Sequence, residues 1–313
     1  MSEASRRIAI IDLGTNTFNL LIAEIQEGGN WSQLFASSIP VKLGQGGMAR
    51  NAIAWDRFVR GVDAMMIHQR TIANYRCAET HAFATSAIRE AKNGKEFVDA
   101  IKAKTGISVK VIGGQIEAEL IHLGVIQSIP AIDEPVVIMD IGGGSTEFII
   151  SYKGNIKWKE SFPLGVARMS EILDLPDPIG KAGKKELENV LFSALDPFWE
   201  AVNEFKPHIL VGASGSFSTF KKTLSYQQGL IDDVFENSCC QFDISKFKAL
   251  TKKLCELDYI SRLKIPGMHP MRADSIQLSA VFAAYIIDRL QIQKVFQSDY
   301  ALKEGALHRL LNK

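Results

Sequence analysis

The chain has 313 residues, 46% hydrophobic and 23% charged, an ordinary globular composition with room for two domains. Its 36 Lys and Arg against 35 Asp and Glu leave a net charge of +1, which excludes the broadly basic surface that nucleic acid or an acidic membrane needs. Cys77, Cys239, Cys240 and Cys255 show no CxxC or zinc spacing, the polar start Ser2–Arg7 has no signal-peptide pattern, and no apolar run approaches ~20 residues, so free thiols and a cytoplasmic location are expected.

In chain order, Ile8–Asp12 is an apolar run that stops at an aspartate. Leu13–Thr17 follows as a small, polar turn, and Phe18–Ala23 as a second apolar run. This pattern predicts a buried hairpin. Trp31–Ser38 reads as a third strand, and Gly44–Gly47 as a flexible loop between Lys42 and Arg50. A helix is predicted over Trp55–Tyr75, because Phe58, Val62, Met65, Ile72 and Tyr75 fall on one face. Strand Thr80–Ala84, helix Glu96–Lys104 stopped by Gly106, strand Ile107–Ile112 and a helix over about Ile116–Gln127 complete the first half. The stretch from Ile129 to Pro135, with two prolines and two acids, is the expected boundary, giving domains 1–130 and 131–313.

The second half restarts the same pattern. Val136–Asp140, Ile141–Glu147 and Phe148–Ile150 repeat the apolar run, aspartate, glycine-rich turn and apolar run, and Ile156–Phe162 is again a third strand. Helices are expected at about Gly183–Phe205, Ile244–Cys255 and Arg272–Leu290, with strands at Ile209–Val211 and Lys294–Gln297 and a last helix at Leu302–Leu311. That last helix, about 301–313, is expected to pack back on the first domain. The duplication predicts two related α/β domains, each with a mixed five-stranded sheet, facing each other across a shared cleft.

The chemistry lies in the two turns. Gly14, Thr15, Asn16 and Thr17 in one, and Gly142, Gly143, Gly144, Ser145 and Thr146 in the other, bring backbone N–H groups and hydroxyls close to an anion. Asp12 and Asp140 end buried strands, where an aspartate is seldom found unless it is paired or metal-bound, so a phosphate-associated divalent metal is favoured over simple turn capping. Glu147 fits a ligand role and an exposed strand position equally. Glu117 and Arg89 do not stand out on their own: a first-turn glutamate suits any helix, and a loop arginine is commonly solvated. Gly212–Ser216 reads either as a third ligand loop or as a strand-to-helix turn. The six histidines show no metal or triad spacing, and no P-loop is present.

DLGTNTF together with DIGGGSTE resembles the two phosphate motifs of the exopolyphosphatase and guanosine pentaphosphate phosphohydrolase (Ppx/GppA) family. Ala84–Ala91, Gly114–Ile121, Ser298–Tyr300 and Lys303–Gly305 are similar to its arginine, glutamate and closing segments. The resemblance spans nearly the whole chain. It implies two ribonuclease-H-like domains of the actin/Hsp70/sugar-kinase superfamily with a central interdomain cleft. It also implies Glu117 as the general base, phosphate contacts from Asn16, Arg89, Gly142 and Ser145, and Asp140 and Glu147 on Mg²⁺ or another divalent cation. Where members of the family often carry paired acids this chain has Ile116–Glu117, so the base role falls to Glu117 alone. The short two-domain form implies weaker binding of long polyphosphate and less processive cleavage. The expected substrate is inorganic polyphosphate, then guanosine penta- or tetraphosphate, with no nucleic acid or membrane partner and a homodimer compatible with the family. An ATP-dependent kinase of the same fold and a non-catalytic alarmone sensor are the alternatives.

Overall fold

The computed structural model describes residues 6–26, 30–230 and 237–312, so Ser2–Ser5 of the polar start lies outside the described residues. The chain divides into two compact units, Met1–Gly124 with Leu302–Lys313, and Val125–Ala301.

The first unit runs β1 (Arg6–Leu13), β2 (Thr17–Ile25), β3 (Trp31–Pro40), α1 (Trp55–Asn74), β4 (Glu79–Ala84), α2 (Ser86–Arg89), α3 (Gly94–Thr105), β5 (Val109–Val111) and the start of α4 (Gly114–Ser128). Its five-stranded sheet has the order β3-β2-β1-β4-β5. The β1–β2 and β2–β3 pairs, joined by short connections, are antiparallel, and the crossover through α1 makes β4 parallel to β1. Ile8–Ile11 are fully buried, and Ala9 and Ile11 share one core with Phe58, Met65 and Ile72 from the predicted stripe of α1.

In the second unit the elements are β6 (Val136–Ile141), β7 (Thr146–Tyr152), β8 (Asn155–Phe162), α5 (Val166–Ile172), α6 (Gly180–Ala194), α7 (Asp196–Phe205), β9 (Ile209–Ala213), α8 (Ser214–Gln227), β10 (Cys239–Phe242), α9 (Ile244–Glu256), α10 (Tyr259–Leu263), α11 (Ile276–Arg289) and β11 (Lys294–Ser298). The chain then returns to the first unit as α12 (Leu302–Leu311), which packs on β1 and β2. An added Cβ at Gly305 would sit 1.8 Å from the Leu120 carbonyl oxygen, so α12 crosses α4 backbone to backbone.

Four expectations are corrected in this unit. Its sheet has six strands, in the order β10-β11-β9-β6-β7-β8, because the four-residue β10 adds an antiparallel edge to β11. The single helix expected over Gly183–Phe205 is two: Leu195 leaves the helical region at φ −104°, ψ 20°, and Pro197 opens the next helix where its missing N–H costs nothing. Helix α8, which the strand-to-helix reading of Gly212–Ser216 would open, is absent from the helices expected, since its Ser/Thr/Gly-rich start is a weak helix former. Burial of Phe217, Phe220 and Leu224 along one face carries it. The last long helix begins at Ile276 rather than Arg272, which leaves Arg272 in the preceding turn. Among the described residues no helix is long and apolar enough to cross a membrane.

Candidate active site

The two glycine turns are the same structure built twice. Gly14 N–H donates to Thr17 C=O at 3.0 Å, and Gly142 N–H donates to Ser145 C=O at 3.0 Å. A Cβ would fall 3.0 Å from the Thr17 oxygen in one turn and 2.8 Å from the Ser145 oxygen in the other, so both positions favour glycine, the second more strongly. After the fourth strand of each sheet a hydroxyl residue ties back to the turn. Thr85 Oγ1 donates to Leu13 C=O at 3.4 Å, and Ser214 Oγ to Ile141 C=O at 3.5 Å. Ser214 takes a left-handed φ of 62°, and Gly212–Ser216 is therefore a strand-to-helix turn beside the phosphate-type turn.

Carbonyl directions show what the second turn offers. Gly142 C=O accepts from Val166, Gly143 C=O from Ala167 and Arg168, and Gly144 C=O from Arg168 Nε at 2.9 Å. In a trans peptide the N–H points opposite to the carbonyl, so the N–H groups of Gly143, Gly144 and Ser145 all face away from α5. Three successive amides so aligned form an anion nest. Gly165 makes the support possible: a Cβ there would lie 2.3 Å from Gly143 C, Gly143 O and Gly144 N. In the first unit Gly44 does the same job more loosely. Its N–H donates to Thr15 C=O at 3.2 Å, and that peptide turns the Asn16 N–H outward. Thr15 is buried there, with its methyl against Gly44. Fully buried Thr146 donates its hydroxyl to Leu164 C=O at 2.9 Å, so that side chain packs the turn.

Across the strands behind each turn runs a row of three polar side chains. In the first unit Ser38 Oγ donates to Asn19 Oδ1 at 2.6 Å, and Asn19 Nδ2 donates to Asp12 Oδ2 at 3.0 Å. In the second unit Ser161 Oγ donates to Glu147 Oε1 at 2.7 Å, and Glu147 stands opposite Asp140 in the β6–β7 register. The rows differ at one position. Asn19 can donate to its aspartate, whereas an ionised Glu147 cannot donate to Asp140. These two carboxylates are 6% and 2% exposed and share one face, and the Arg272 guanidinium acts on Asp140 from within the same unit. This donor set suits a hard divalent ion, which commonly takes one or two carboxylates and completes its shell with water and phosphate. No group of three or more metal-type side chains converges among the described residues. Asp12 is answered within its own unit: burial, first of all, pushes its carboxyl above the usual range, while Lys303 and the Asn19 bond hold it down.

Glu117, in the first turn of α4 and 6% exposed, is gripped by Arg89, whose Nη1 lies 2.9 Å from Glu117 Oε2 and 3.1 Å from Ile112 C=O. One nitrogen thus pins the carboxylate to the strand end before the helix. Sequence reasoning missed three contributors. Arg272 lies over Gly215, where a Cβ would come 2.0 Å from its Nη2, and Asp140 helps to hold its guanidinium charged against the effect of burial. Lys303 acts on Asp12, and Gly165 braces the second turn. Burial pushes the Cys239, Cys240 and Cys255 thiols up to about 11, which favours the protonated form at neutral pH.

Two ribonuclease-H-like units, each with an aspartate at the end of its first strand and a phosphate-type turn beyond it, define a phosphoryl-handling protein of the actin/Hsp70/sugar-kinase superfamily. A family model described as the Ppx/GppA phosphatase family matches residues 21–313, and the chain belongs to that family. It is similar to a crystal structure of an exopolyphosphatase from Cytophaga hutchinsonii, with 32% identity, a TM-score of 0.95 and 98% of each chain covered. Exopolyphosphatase 1 of Mycobacterium tuberculosis is 24% identical over 310 residues, covering 98% of this chain and 88% of the relative. The Aquifex aeolicus Ppx/GppA family member shares the fold, with a TM-score of 0.78 at 22% identity over 99% of each chain.

Proposed function

We propose that this chain is an exopolyphosphatase, a phosphoanhydride hydrolase that releases orthophosphate from the end of an inorganic polyphosphate chain. The observation that carries the reading is the buried Glu117 carboxylate, fixed at 2.9 Å by Arg89 in a chain that carries two phosphate-type turns. Hydrolysis asks for two things, neutralisation of the charge on the transferred phosphoryl group and a positioned water. In the second unit the outward amides of Gly143, Gly144 and Ser145 and the Arg272 guanidinium, and in the first the Asn16 amide and the Arg89 guanidinium, are the groups proposed to contact phosphate. Glu117 takes a proton from the water as its oxygen bonds to the terminal phosphorus. The phosphorus–oxygen bond to the rest of the chain then breaks, leaving the shortened chain as an anion.

Asp140 and Glu147 are the carboxylates proposed for Mg²⁺ in the second unit, and Asp12 is the one proposed in the first. The ion, when bound, screens phosphate charge. Free cysteines at 77, 239, 240 and 255 support a reducing, cytoplasmic setting. The deciding experiment measures phosphate release from polyphosphate, guanosine pentaphosphate and ATP side by side. Polyphosphate is expected to be the best substrate. Faster release from guanosine pentaphosphate would transfer the reading to the nucleotide. ADP formation that depends on an added acceptor would replace it with a kinase.

A further inference from the structure

The second unit carries a basic groove that the reaction does not use. It is a shallow, open groove between α6 and α11, about 560 Å³ in volume, and is lined by four cations and one acid. In a chain whose net charge is +1 this is a marked local excess. Lys181 and Lys185 are spaced one turn apart, and Phe192 continues the same side of α6. Eleven residues of helix at 1.5 Å each make this strip roughly 16 Å long, enough for several consecutive phosphates.

At its far end the groove holds a preorganised cation. The Arg289 guanidinium lies 4.6 Å from the Phe192 ring centre and 4.7 Å from that of Trp199, and it hydrogen-bonds Tyr285. Trp199 Nε1 donates to Phe192 C=O at 2.9 Å, and the Trp199 and Tyr285 rings meet edge-on at 6.1 Å, so the cage is built from three helices. An arginine held this way has already lost the rotamer freedom that binding would otherwise remove. The rings already carry the guanidinium, which leaves charge rather than base stacking to select the ligand. Glu188 answers only part of the excess, at 3.6 Å from Lys184. The lysines also stand in the first turns of α6, where the helix dipole disfavours cations.

We propose that this groove is a docking site for a linear chain of phosphates, holding the uncleaved part of the substrate while its end is hydrolysed elsewhere. The proposal rests on the polyphosphate reading above. It also runs against the expectation that a short family member holds long chains weakly.

The test compares wild type with the double variants Lys181→Glu/Lys185→Glu and Lys181→Arg/Lys185→Arg, all with matched thermal midpoints. Reversing two exposed charges is expected to raise KM for long-chain polyphosphate roughly tenfold and to flatten its salt dependence. Both constants for tripolyphosphate, and everything in the arginine pair, are expected to stay at wild type. Unchanged KM for long chains, or an equal loss on short and long chains, overturns the proposal. Direct binding of long-chain polyphosphate in excess chelator judges the groove without turnover: the glutamate pair is expected to bind about tenfold more weakly. A wild-type protein that releases no phosphate from polyphosphate, yet binds it through these lysines, would sink the activity and keep the groove. If single-stranded RNA binds as tightly and loses as much in the glutamate pair, the ligand is nucleic acid and the phosphate-chain proposal fails.

Discussion

Gly165→Ala is the most informative single change, because its effect is purely steric. Gly165 sits at φ −75°, ψ 150°, a conformation any residue adopts, so alanine brings no backbone strain. Its methyl would lie 2.3 Å from the backbone of Gly143 and Gly144, against 3.4 Å where ordinary contact begins. Neither neighbour has a side chain to rotate away, so the turn must retreat by about 1 Å, and a shift of that size costs on the order of 10²-fold in rate. Overpacking adds roughly 1–3 kcal/mol of destabilisation. That lowers the thermal midpoint by about 2–4 °C per kcal/mol for a unit of this size. Gly44→Ala is the matched comparison. Its methyl meets the Thr15 methyl at 2.7 Å and Met48 Sδ at 2.8 Å, both side-chain atoms, and the thioether repacks easily. Less than about tenfold loss is expected there, the milder end of the same overpacking effect. The assay is kcat/KM for phosphate release alongside the thermal midpoint of each variant. Wild-type kcat/KM in Gly165→Ala, or equal damage from both changes, would refute the argument that α5 holds the anion nest from below.

Other expectations follow from the same geometry. Glu117→Gln keeps the shape but cannot accept a proton, so kcat falls roughly 10²–10⁴-fold with polyphosphate binding retained; a wild-type kcat removes Glu117 from the mechanism. Excess chelator abolishes phosphate release, and Asp140→Asn needs a higher Mg²⁺ concentration for half-activity, as a titration would show. Burial raises the folded-state pKa of Asp12 above 3.8, so between the unfolded and folded values the native state holds the extra proton and stability falls as pH rises. Asp12→Asn should therefore melt higher than wild type at pH 7, and the gain should shrink as pH drops toward the unfolded value. Arg262 is fully buried and donates to Asp177 at 2.7 Å and to Ala273 C=O, next to Arg272, at 2.7 Å. Arg262→Met removes the donor to the Ala273 carbonyl and to Asp177 Oδ1, while Asp177 Oδ2 keeps the Tyr259 N–H, and urea titration should read about 1–3 kcal/mol lost, with kcat reduced as Arg272 loosens.

Much of this protein is legible from local chemistry. An apolar run, an aspartate and a glycine turn specify a buried hairpin by themselves, because strand burial and turn geometry depend on neighbours within about five residues. The repeat of that pattern announced two related units, and the positions of Asp12, Asp140 and both turns came with it. Tertiary structure decided what those residues face. Arg89 and Glu117 are unremarkable in sequence and become a fixed pair only when β4 and β5 lie side by side. Arg272 reads as part of a helix until burial of Ala273 and Ile276 sets where α11 begins. Whether a first-strand aspartate meets an amide or a second carboxylate depends on cross-strand register, which places Asn19 beside Asp12 and Glu147 beside Asp140. The sixth strand, helix α8 and the bracing by Gly165 arise the same way. Each is held by partners far along the chain, and no local pattern encodes the distance between segments that only packing brings together.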